Sequence, residues 1–364
     1  MPPPLSLRGL LVIFAVSLGA LLIVEHWVVE MRLRPDATAM HRAAALAAER
    51  MTAVRTLKER RGLWAPAPYP EMREWMLGAP YSPITTTLGS REAKLTSTNP
   101  AFAALLVRWL HEAGVDTGDA VGVTLSGSFP ALGIAALTAV EVVGARAVLV
   151  SSLGASSFGA NQPEATWLDM EHWLVETAGL PAGSTVVTPG AEWDAGGGLP
   201  EGGLDVMHAA ARRCGVMLKI PGSLEEGIRL RTDLFFSQGI SALVNIGGGQ
   251  TSLGTCPHAS TLPTGYWPSL PACSHAGRGV VERVAERGIP VIHLLNIREL
   301  AHRYGIPVGE GRSREDPVAV YSERAVPTLH LAGIVGILVI IVHLRKFKPR
   351  LMTSHSHQGG DEQP

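Results

Sequence analysis

The chain has 364 residues, enough for one large domain or two with a buried core. Its 31 lysines and arginines nearly balance 32 aspartates and glutamates, which gives a formal net charge of −1. This balance provides no broad basic surface, so we expect no nucleic-acid partner. The 40 glycines and 26 prolines are spread along the chain and predict many turns.

Two apolar segments near the ends of the chain predict membrane spans. The run 9–24 extends to a span at 9–29, after a short N-terminus at 1–8. The second span is predicted at 325–344, and a basic and polar tail at 345–364 follows it. Each run is near the short limit for a spanning helix, which needs about 17–25 residues. The basic residues of the tail indicate that this end is cytoplasmic.

Both spans have alternatives. A cleavable signal peptide competes with the first, although no small-residue cleavage site directly follows the apolar run. A buried helix competes with the second. Arg8 places the N-terminus in the cytoplasm, and Arg32 and Arg34 weaken that signal. We expect a two-pass membrane protein with both termini cytoplasmic and its main domain outside the cytoplasm.

The first elements after the span are a helix and a hydroxyl-rich loop. Residues 36–61 predict a helix that begins at Asp36, stands off the membrane as a stalk and packs against the domain. We assign 30–80 to this stalk and a linker, and 81–324 to the extracytoplasmic domain. The segment 81–100 is either a surface loop that caps the next helix, or a loop that lies over the ligand-binding end of the sheet.

The segment 119–165 has the pattern of a strand, a helix and a second strand. Residues 120–125 and 145–150 are short apolar runs, and Pro130 suits the first turn of the helix between them. This unit predicts two parallel strands with a right-handed crossover. Both strands end in loops rich in Ser, Gly and Asn, where open α/β sheets bind ligands.

Strand and helix patterns alternate through the rest of the domain, which predicts an α/β fold with a mostly parallel sheet and helices on both faces. The predicted helices are 100–113, 167–177, 204–214, 224–238, 279–288 and 297–304. The predicted strands are 186–187, 216–220, 242–246 and 291–295, and the segments 190–203 and 255–275 are predicted loops.

The first candidate site is Ser126-Gly127-Ser128. A serine at a sharp strand-to-helix turn can act as a nucleophile, but the G-x-S-x-G pattern is absent. The same residues could hold a carboxylate or phosphate through backbone amides and hydroxyls, or Ser128 could simply cap the helix.

The second candidate site is the glycine-rich segment 247–254, where the backbone can approach a ligand closely. The lysine of a P-loop is missing, so its neutral groups suit amides and carboxylates better than phosphoryl transfer. The third is the loop 151–163 with Ser156, Ser157 and Asn161. Asp169 follows it as a candidate functional carboxylate, or as a capping residue.

The three cysteines and nearby histidines leave two possibilities open. Cys256 and Cys273 could form a disulfide outside the cytoplasm, or all three cysteines could be free. The Cys-x-His pairs at 256–258 and 273–275 do not have the usual zinc spacing. We therefore expect no metal and no cofactor, and Cys214 is expected to be a buried thiol.

Several motifs taken in order resemble one known family, the poly-gamma-glutamate system proteins. They are YSPITTTLGS at 81–90, TSTNP at 96–100, SGSFP at 126–130, GASSFGA at 154–160, TWLDM at 166–170 and NIGGG at 245–249. The resemblance covers most of the chain, including the terminal apolar segments. It implies a place among the bacterial machinery that makes and exports poly-γ-glutamate, and it supplies no catalytic residues.

The sequence thus predicts a membrane-anchored accessory protein of poly-γ-glutamate biosynthesis, export or capsule attachment, with the polymer, membrane synthase or export subunits and the lipid bilayer as partners. The alternatives are a serine-dependent γ-glutamyl hydrolase or transferase, and a non-catalytic scaffold for the synthase. The catalytic candidates are Ser126, Ser128 and Asp169. The expected ligand-binding residues are Ser126, Gly127, Ser128, Ser156, Ser157, Asn161, Gly248, Gly249, Gln250, Thr251, Arg91 and Lys94.

Overall fold

The computed structural model describes residues 11, 14, 18–19, 30–64, 73–255, 262–270, 277–309 and 317–325. The chain divides into two units, 33–322 and a second unit formed by 1–32 with 323–364. The predicted spans lie almost wholly outside the described residues. Within the described ranges, no helix has both the length and the apolar character to cross a bilayer.

The helices described between residues 30 and 325 follow the predicted rhythm closely. They are α1 Ala37–Arg60, α2 Arg91–Ser97, α3 Ala101–Glu112, α4 Pro130–Val143, α5 Trp167–Thr177, α6 Gly203–Arg213, α7 Leu224–Ser237, α8 Gln250–Leu253, α9 Val280–Ala285, α10 Ile297–Tyr304 and α11 Val318–Tyr321. A short 3₁₀ helix occupies Arg73–Met76.

The strands of the described residues form one large sheet and two small ones. They are β1 Glu30–Leu33, β2 Ala120–Ser126, β3 Arg146–Ser152, β4 Asn161–Gln162, β5 Ala165–Thr166, β6 Val186–Thr188, β7 Ile240–Ile246, β8 Gly265–Trp267, β9 Val291–Leu294 and β10 Ser322–Ala325. The six-stranded sheet has the order β6-β3-β2-β7-β9-β8, and the small sheets pair β1 with β10 and β4 with β5.

Four of the five pairings in the large sheet are parallel, and β8 alone runs antiparallel to β9. The predicted β2-α4-β3 unit is confirmed, with Ser126 opposite Ser152 at the ends of the two strands. On its other side, Leu125 pairs with Ile246 of β7. The α/β class with a mostly parallel sheet is therefore confirmed, and the carboxyl ends of these strands meet at one edge.

Helices cover both faces of this sheet because successive side chains of a strand point to opposite sides. On β3, Leu149 packs into the core formed with α1, α3 and α4, whereas Val148 and Val150 pack into the core formed with α7 and α9. All three side chains are buried. Burial of each such side chain contributes about 1.5–3 kcal/mol, so the sheet is held firmly beneath its loops.

Helix α1 packs against α3 and α4 in the same unit as the sheet. Its buried stripe of Met40, Ala43, Ala47, Met51 and Val54 has the three-to-four spacing of one helix face. The compact unit accordingly begins at residue 33, well before the predicted domain start at residue 81. Asp36 is the N-cap residue but makes no side-chain cap; its carboxylate instead pairs with Arg34.

Two expectations about the strands of the domain were wrong. The predicted strand 216–220 is reduced to a single bridge between Leu218 and Val187, because Pro221 follows directly and β6 is itself only three residues long. The predicted loop 255–275 contains β8, which is too short to show an alternating pattern.

Candidate functional site

A cavity of about 880 Å³ lies at the carboxyl ends of the parallel strands. Ser126 ends β2 and Ser152 ends β3, while Gly247 follows β7 and Asn296 follows β9; all four line the cavity. The segment 86–90 and part of the loop 190–198 complete its lining. This is the position at which open α/β sheets bind ligands.

Eight of the predicted ligand-binding residues line this cavity. They are Lys94, Ser126, Ser128, Ser156, Gly248, Gly249, Gln250 and Thr251. Lys94 lies on α2, whereas the segments that carry the other seven lie at or after the ends of β2, β3 and β7, and the parallel arrangement brings these segments to the same edge. The hydroxyl-rich segment 86–90 also lies against this cavity, as one of its two interpretations predicted.

Gly127 lies beneath the cavity lining and holds two loops together. Its N–H donates to Ser152 O at 2.8 Å, and its carbonyl accepts from Ala160 N at 2.7 Å. A Cβ at this position would lie 2.8 Å from Leu153 O, so no larger residue fits. Gly127 therefore positions the loops of β2 and β3 through its backbone.

Asn161 and Ser157 are buried and do not line the cavity. The Asn161 amide donates to Ala79 O and to Thr85 Oγ1, both at 2.9 Å, and its Oδ1 accepts from Ala79 N at 2.8 Å. Ser157 N donates to Thr87 O at 2.9 Å. Both residues thus fix the hydroxyl-rich segment over the sheet.

Lys94 is the most unusual residue of the site, because it is almost fully buried. Ser90 caps the short helix α2 by accepting from Ala93 N, and this helix directs Lys94 inward. The Lys94 ammonium group lies 2.8 Å from Ser156 Oγ, donates to Ser128 O and stands 3.5 Å from the centre of the Phe129 ring. Burial lowers the pKa of Lys94 to about 7, so its charged and neutral forms are balanced near neutral pH.

Ser128 does not cap α4, contrary to one of the interpretations of this turn. Its Oγ accepts from Ser156 N at 3.0 Å. The N-cap residue of α4 is Phe129, with no side-chain cap, and Pro130 occupies the first turn as expected. The Ser128 hydroxyl therefore connects the loop of β2 to the loop of β3 next to Lys94.

The glycine-rich segment after β7 approaches Ser126 closely. Gly247 has a φ of 97°, and a Cβ there would lie 2.6 Å from Ser126 Oγ. Both the backbone conformation and the space therefore require glycine at this position. Gln250 begins α8, and its Oε1 accepts from Trp193 N at 2.9 Å.

A buried ion pair that the sequence did not indicate lies under one side of the cavity. Arg231 of α7 contacts Asp194 at 2.6 Å, and both side chains are 1% exposed. Arg231 also donates to Ser152 Oγ at 3.0 Å and to Thr188 Oγ1 at 2.9 Å. The pair therefore ties the ends of β3 and β6 to the loop 190–198.

This loop is also strained. Ala191, Trp193 and Asp194 have φ values of 61°, 56° and 64°, in the left-handed region that non-glycine residues rarely adopt. Such conformations persist only where the surrounding structure holds them, and they are concentrated at functional sites.

One signal in the sequence could have indicated the buried ion pair. Arg231 falls on the apolar face of α7 with Ile228 and Phe235.

Asp169 lies outside the cavity lining and stabilises α5. It forms a capping box with Thr166 and ion pairs with Arg61 at 2.7 Å and Arg213 at 2.9 Å. Burial by itself would raise the pKa of Asp169, but hydrogen bonds from Arg213, Arg61 and Thr166 together lower it. The carboxylate is thus fully used in holding the helix start.

Glu171, two residues further on, points elsewhere, because residues two apart on a helix do not face each other. It accepts from Trp167 Nε1 at 2.8 Å and from Ser184 N at 2.7 Å. Burial raises the pKa of Glu171. Arg91 also lies outside the cavity lining, where it forms an ion pair with Glu74.

The histidine and cysteine candidates form no metal site in the described part of the chain, where no cluster of three metal-ligating side chains occurs. His293 is buried on β9 and contacts the Asn245 amide at 2.8 Å through Nδ1. Burial lowers the pKa of His293 to about 4. Cys214 has a free thiol but is only half-buried, and not fully buried as expected. The segments holding Cys256, His258, Cys273 and His275 lie outside the described residues.

The charges around the cavity are mixed. Lys94 and Arg298 are cationic, and Glu192, Asp194 and Glu299 are acidic. Asp194 is paired with Arg231, Glu299 with Arg303, and Arg298 with Glu92 at 3.0 Å. Hydroxyls, glycine backbone and the Gln250 amide make up most of the remaining polar lining, which suits a ligand rich in amide and carboxylate groups.

Comparisons of the chain with known proteins find no matching family model, no matching curated protein and no matching solved structure.

Proposed function

We propose that this protein is a membrane-anchored accessory protein of bacterial poly-γ-glutamate biosynthesis, export or capsule attachment, and that it binds the γ-glutamyl chain in the cavity at the carboxyl edge of the sheet. One observation carries the proposal. Several sequence motifs that resemble the poly-gamma-glutamate system proteins, those at 81–90, 126–130, 154–160 and 245–249, contribute residues to the lining of one cavity.

The chemistry of the lining supports a γ-glutamyl ligand. Each repeat of that polymer carries one amide in the main chain and one free carboxylate. Hydroxyl groups and the Gln250 side chain can donate to and accept from the amide. The protonated form of Lys94 supplies positive charge for carboxylates, and so does the Arg298 guanidinium, which is 58% exposed although it also pairs with Glu92.

The membrane part of the proposal rests on the sequence. The apolar runs predicted as spans at 9–29 and 325–344 would anchor the chain at both ends, with the cavity-bearing domain outside the cytoplasm. The polymer emerges on that side in cells that export it. The synthase or export subunits and the lipid bilayer would be its other partners.

Binding of fluorescently labelled poly-γ-glutamate to the purified full-length chain tests the proposal. We expect Ser126→Ala and Gln250→Ala to weaken binding about 5- to 30-fold each, which corresponds to one lost hydrogen bond of about 1–2 kcal/mol. Gln238→Ala is the matched control, because Gln238 lies outside the cavity and bonds to Arg146 at the start of β3. Poly-α-glutamate provides a control of equal charge.

Wild-type affinity in both cavity variants would show that the polymer does not bind here. The scaffold alternative would then be favoured, and it requires the two terminal segments, but no cavity residue, for co-purification with the synthase. Ser126 and Ser128 are weak candidates for a nucleophile, because among the described residues no histidine or lysine side chain hydrogen-bonds to either hydroxyl.

A further inference from the structure

The cavity contains a serine and a lysine whose side chains face each other. Ser156 Oγ lies 2.8 Å from Lys94 Nζ, and both residues line the cavity. Ser156 is 9% exposed and Lys94 is 4% exposed, so the contact is shielded from bulk water while remaining open to a ligand. Within the described ranges Lys94 has no carboxylate partner; its second bond goes to the backbone carbonyl of Ser128.

We propose that Ser156 is a nucleophile and Lys94 its general base, and that the pair cleaves or transfers an amide-linked acyl group bound in the cavity. The inference rests on the proposed function for its substrate class, which is a γ-glutamyl amide. It assigns to Ser156 and Lys94 a reaction that neither the sequence motifs nor the fold identifies.

The position of Ser156 suits this role. Its backbone N–H donates to Ser128 Oγ at 3.0 Å, and its carbonyl accepts from Gly159 N at 2.9 Å. Both bonds use the backbone of Ser156 and leave its hydroxyl to Lys94, whose Nζ donates to Oγ in the structure and, once neutral, can accept from it. Covalent catalysis typically uses a nucleophile and a base within hydrogen-bond distance, with the base oriented in turn by a third group. Here the Ser128 carbonyl, which accepts from Lys94, is that third group.

The surroundings of Lys94 favour the neutral amine that a base must be. A lysine activates a hydroxyl only when its amine has lost its proton, and burial lowers the pKa of Lys94 to about 7. The other charged residues of the cavity lining are Glu192, Asp194, Arg298 and Glu299. Burial, and not any of these groups, causes the shift.

The reaction proceeds in two balanced stages. In the first, the Ser156 hydroxyl proton passes to Lys94 Nζ while Oγ bonds to the amide carbonyl carbon. The C–N bond then breaks, the leaving amine takes the proton from the Lys94 ammonium group, and an ester on Ser156 remains. In the second, a water molecule or an acceptor amine attacks that ester with Lys94 again as base, and the Ser156 hydroxyl is restored.

A purely structural role is the alternative, in which Lys94 only joins α2 to the turn at 126–130. Lys58 is the natural comparison, because it is 1% exposed with a pKa that burial also lowers to about 7. Its Nζ donates to Leu77 O at 2.7 Å, and it does not line the cavity. A change at Lys58 therefore reports what the loss of a buried lysine alone does.

A fluorophosphonate probe applied to the purified full-length chain tests the assignment, because the serine oxygen bonds to phosphorus, fluoride leaves and the base takes the proton. We expect mass spectrometry to find the label on Ser156, and Ser156→Ala to abolish it. Lys94→Met should slow labelling about 100-fold or more, the usual contribution of a general base. The labelling rate should rise with pH through about 7, the pKa of Lys94.

Lys58→Met and the exposed Ser237→Ala are the controls and should label at the wild-type rate. Circular dichroism shows whether each variant is folded. Label at another serine, no label on folded protein, or equal rates in Lys94→Met and wild type would overturn the assignment.

A separate assay tests the substrate class. It measures the release of aminomethylcoumarin from γ-glutamyl-aminomethylcoumarin, in which an amide bond joins the two groups. Release that depends on Ser156 supports the amide reaction. Labelled Ser156 without release would overturn the γ-glutamyl specificity. Polymer binding with no labelling would leave the proposed function intact and refute the nucleophile.

Discussion

The pH dependence of folding offers a direct test of the buried lysines. Lys58 lies on α1 with its ammonium group against the Leu77 carbonyl, and burial lowers its pKa from 10.5 to about 7. Burial lowers the pKa of Lys94 to the same value. Between about pH 7 and pH 10.5 the unfolded chain therefore holds a proton at each lysine that the folded chain has released.

The sign follows from this difference in bound protons. Because the unfolded state binds more protons, the free energy of unfolding rises with pH in this window and falls as the pH drops toward 7. Each lysine contributes up to about 1.4 kcal/mol per pH unit to the slope of the unfolding free energy against pH, so the two together contribute up to about 3 kcal/mol per pH unit. The measurements must stay below pH 9. Burial raises the pKa of Cys214 from 9.0 to about 11, so above pH 9 the folded chain keeps a thiol proton that the unfolded chain releases, and this lowers the free energy of unfolding as the pH rises.

Lys58→Met removes one of the two contributions. Urea unfolding of the full-length chain, followed by tryptophan fluorescence at pH 7.5 and 8.5, should show that the slope of unfolding free energy against pH falls by about half. Lys219→Met, at an exposed position, should leave the slope unchanged. An unchanged slope in Lys58→Met would refute the claim that Lys58 is neutral in the folded protein.

Two further predictions concern the loop 190–198. Asp194→Asn should destabilise the protein by about 3–5 kcal/mol, since the buried Arg231 guanidinium loses its partner; asparagine tolerates the left-handed backbone there, so denaturant unfolding reports the lost charge and not strain. If unfolding is unchanged, the pair is not buried as described. Glu192→Gln should tighten poly-γ-glutamate binding about two- to fivefold at low salt by removing a negative charge from the cavity lining. The gain should fade at high ionic strength, and equal affinity at low salt would show that the polymer does not pass Glu192.

The position of the cavity could be predicted from the sequence, because it depends on local patterns. Two apolar runs joined by a helix predict parallel strands, and parallel strands place their following loops at one edge. Ser126, Ser156 and Gln250 were brought together by this topology alone. The pairing of the strands does not depend on which side chains of the following loops contact each other.

The pairing of charged side chains could not be predicted in the same way. Asp194 lies in a glycine-rich segment that was predicted as a surface loop, and Arg231 lies on a helix far along the chain. Their contact follows from tertiary packing, about which periodicity carries no information. The same reason explains Asp169, where the local pattern allowed both a cap and a functional carboxylate and the structure shows the cap.

Lys58 and Lys94 show why a shifted pKa does not identify a functional residue. Burial has the same effect on both, since it removes water from an ammonium group wherever that group lies. The difference is in what each amine contacts: Lys58 contacts a backbone carbonyl, which cannot react, whereas Lys94 contacts a serine hydroxyl in a cavity. If the contact with Ser156 matters chemically, the two Met variants should alter the pH dependence of stability alike, and only Lys94→Met should slow the labelling of Ser156.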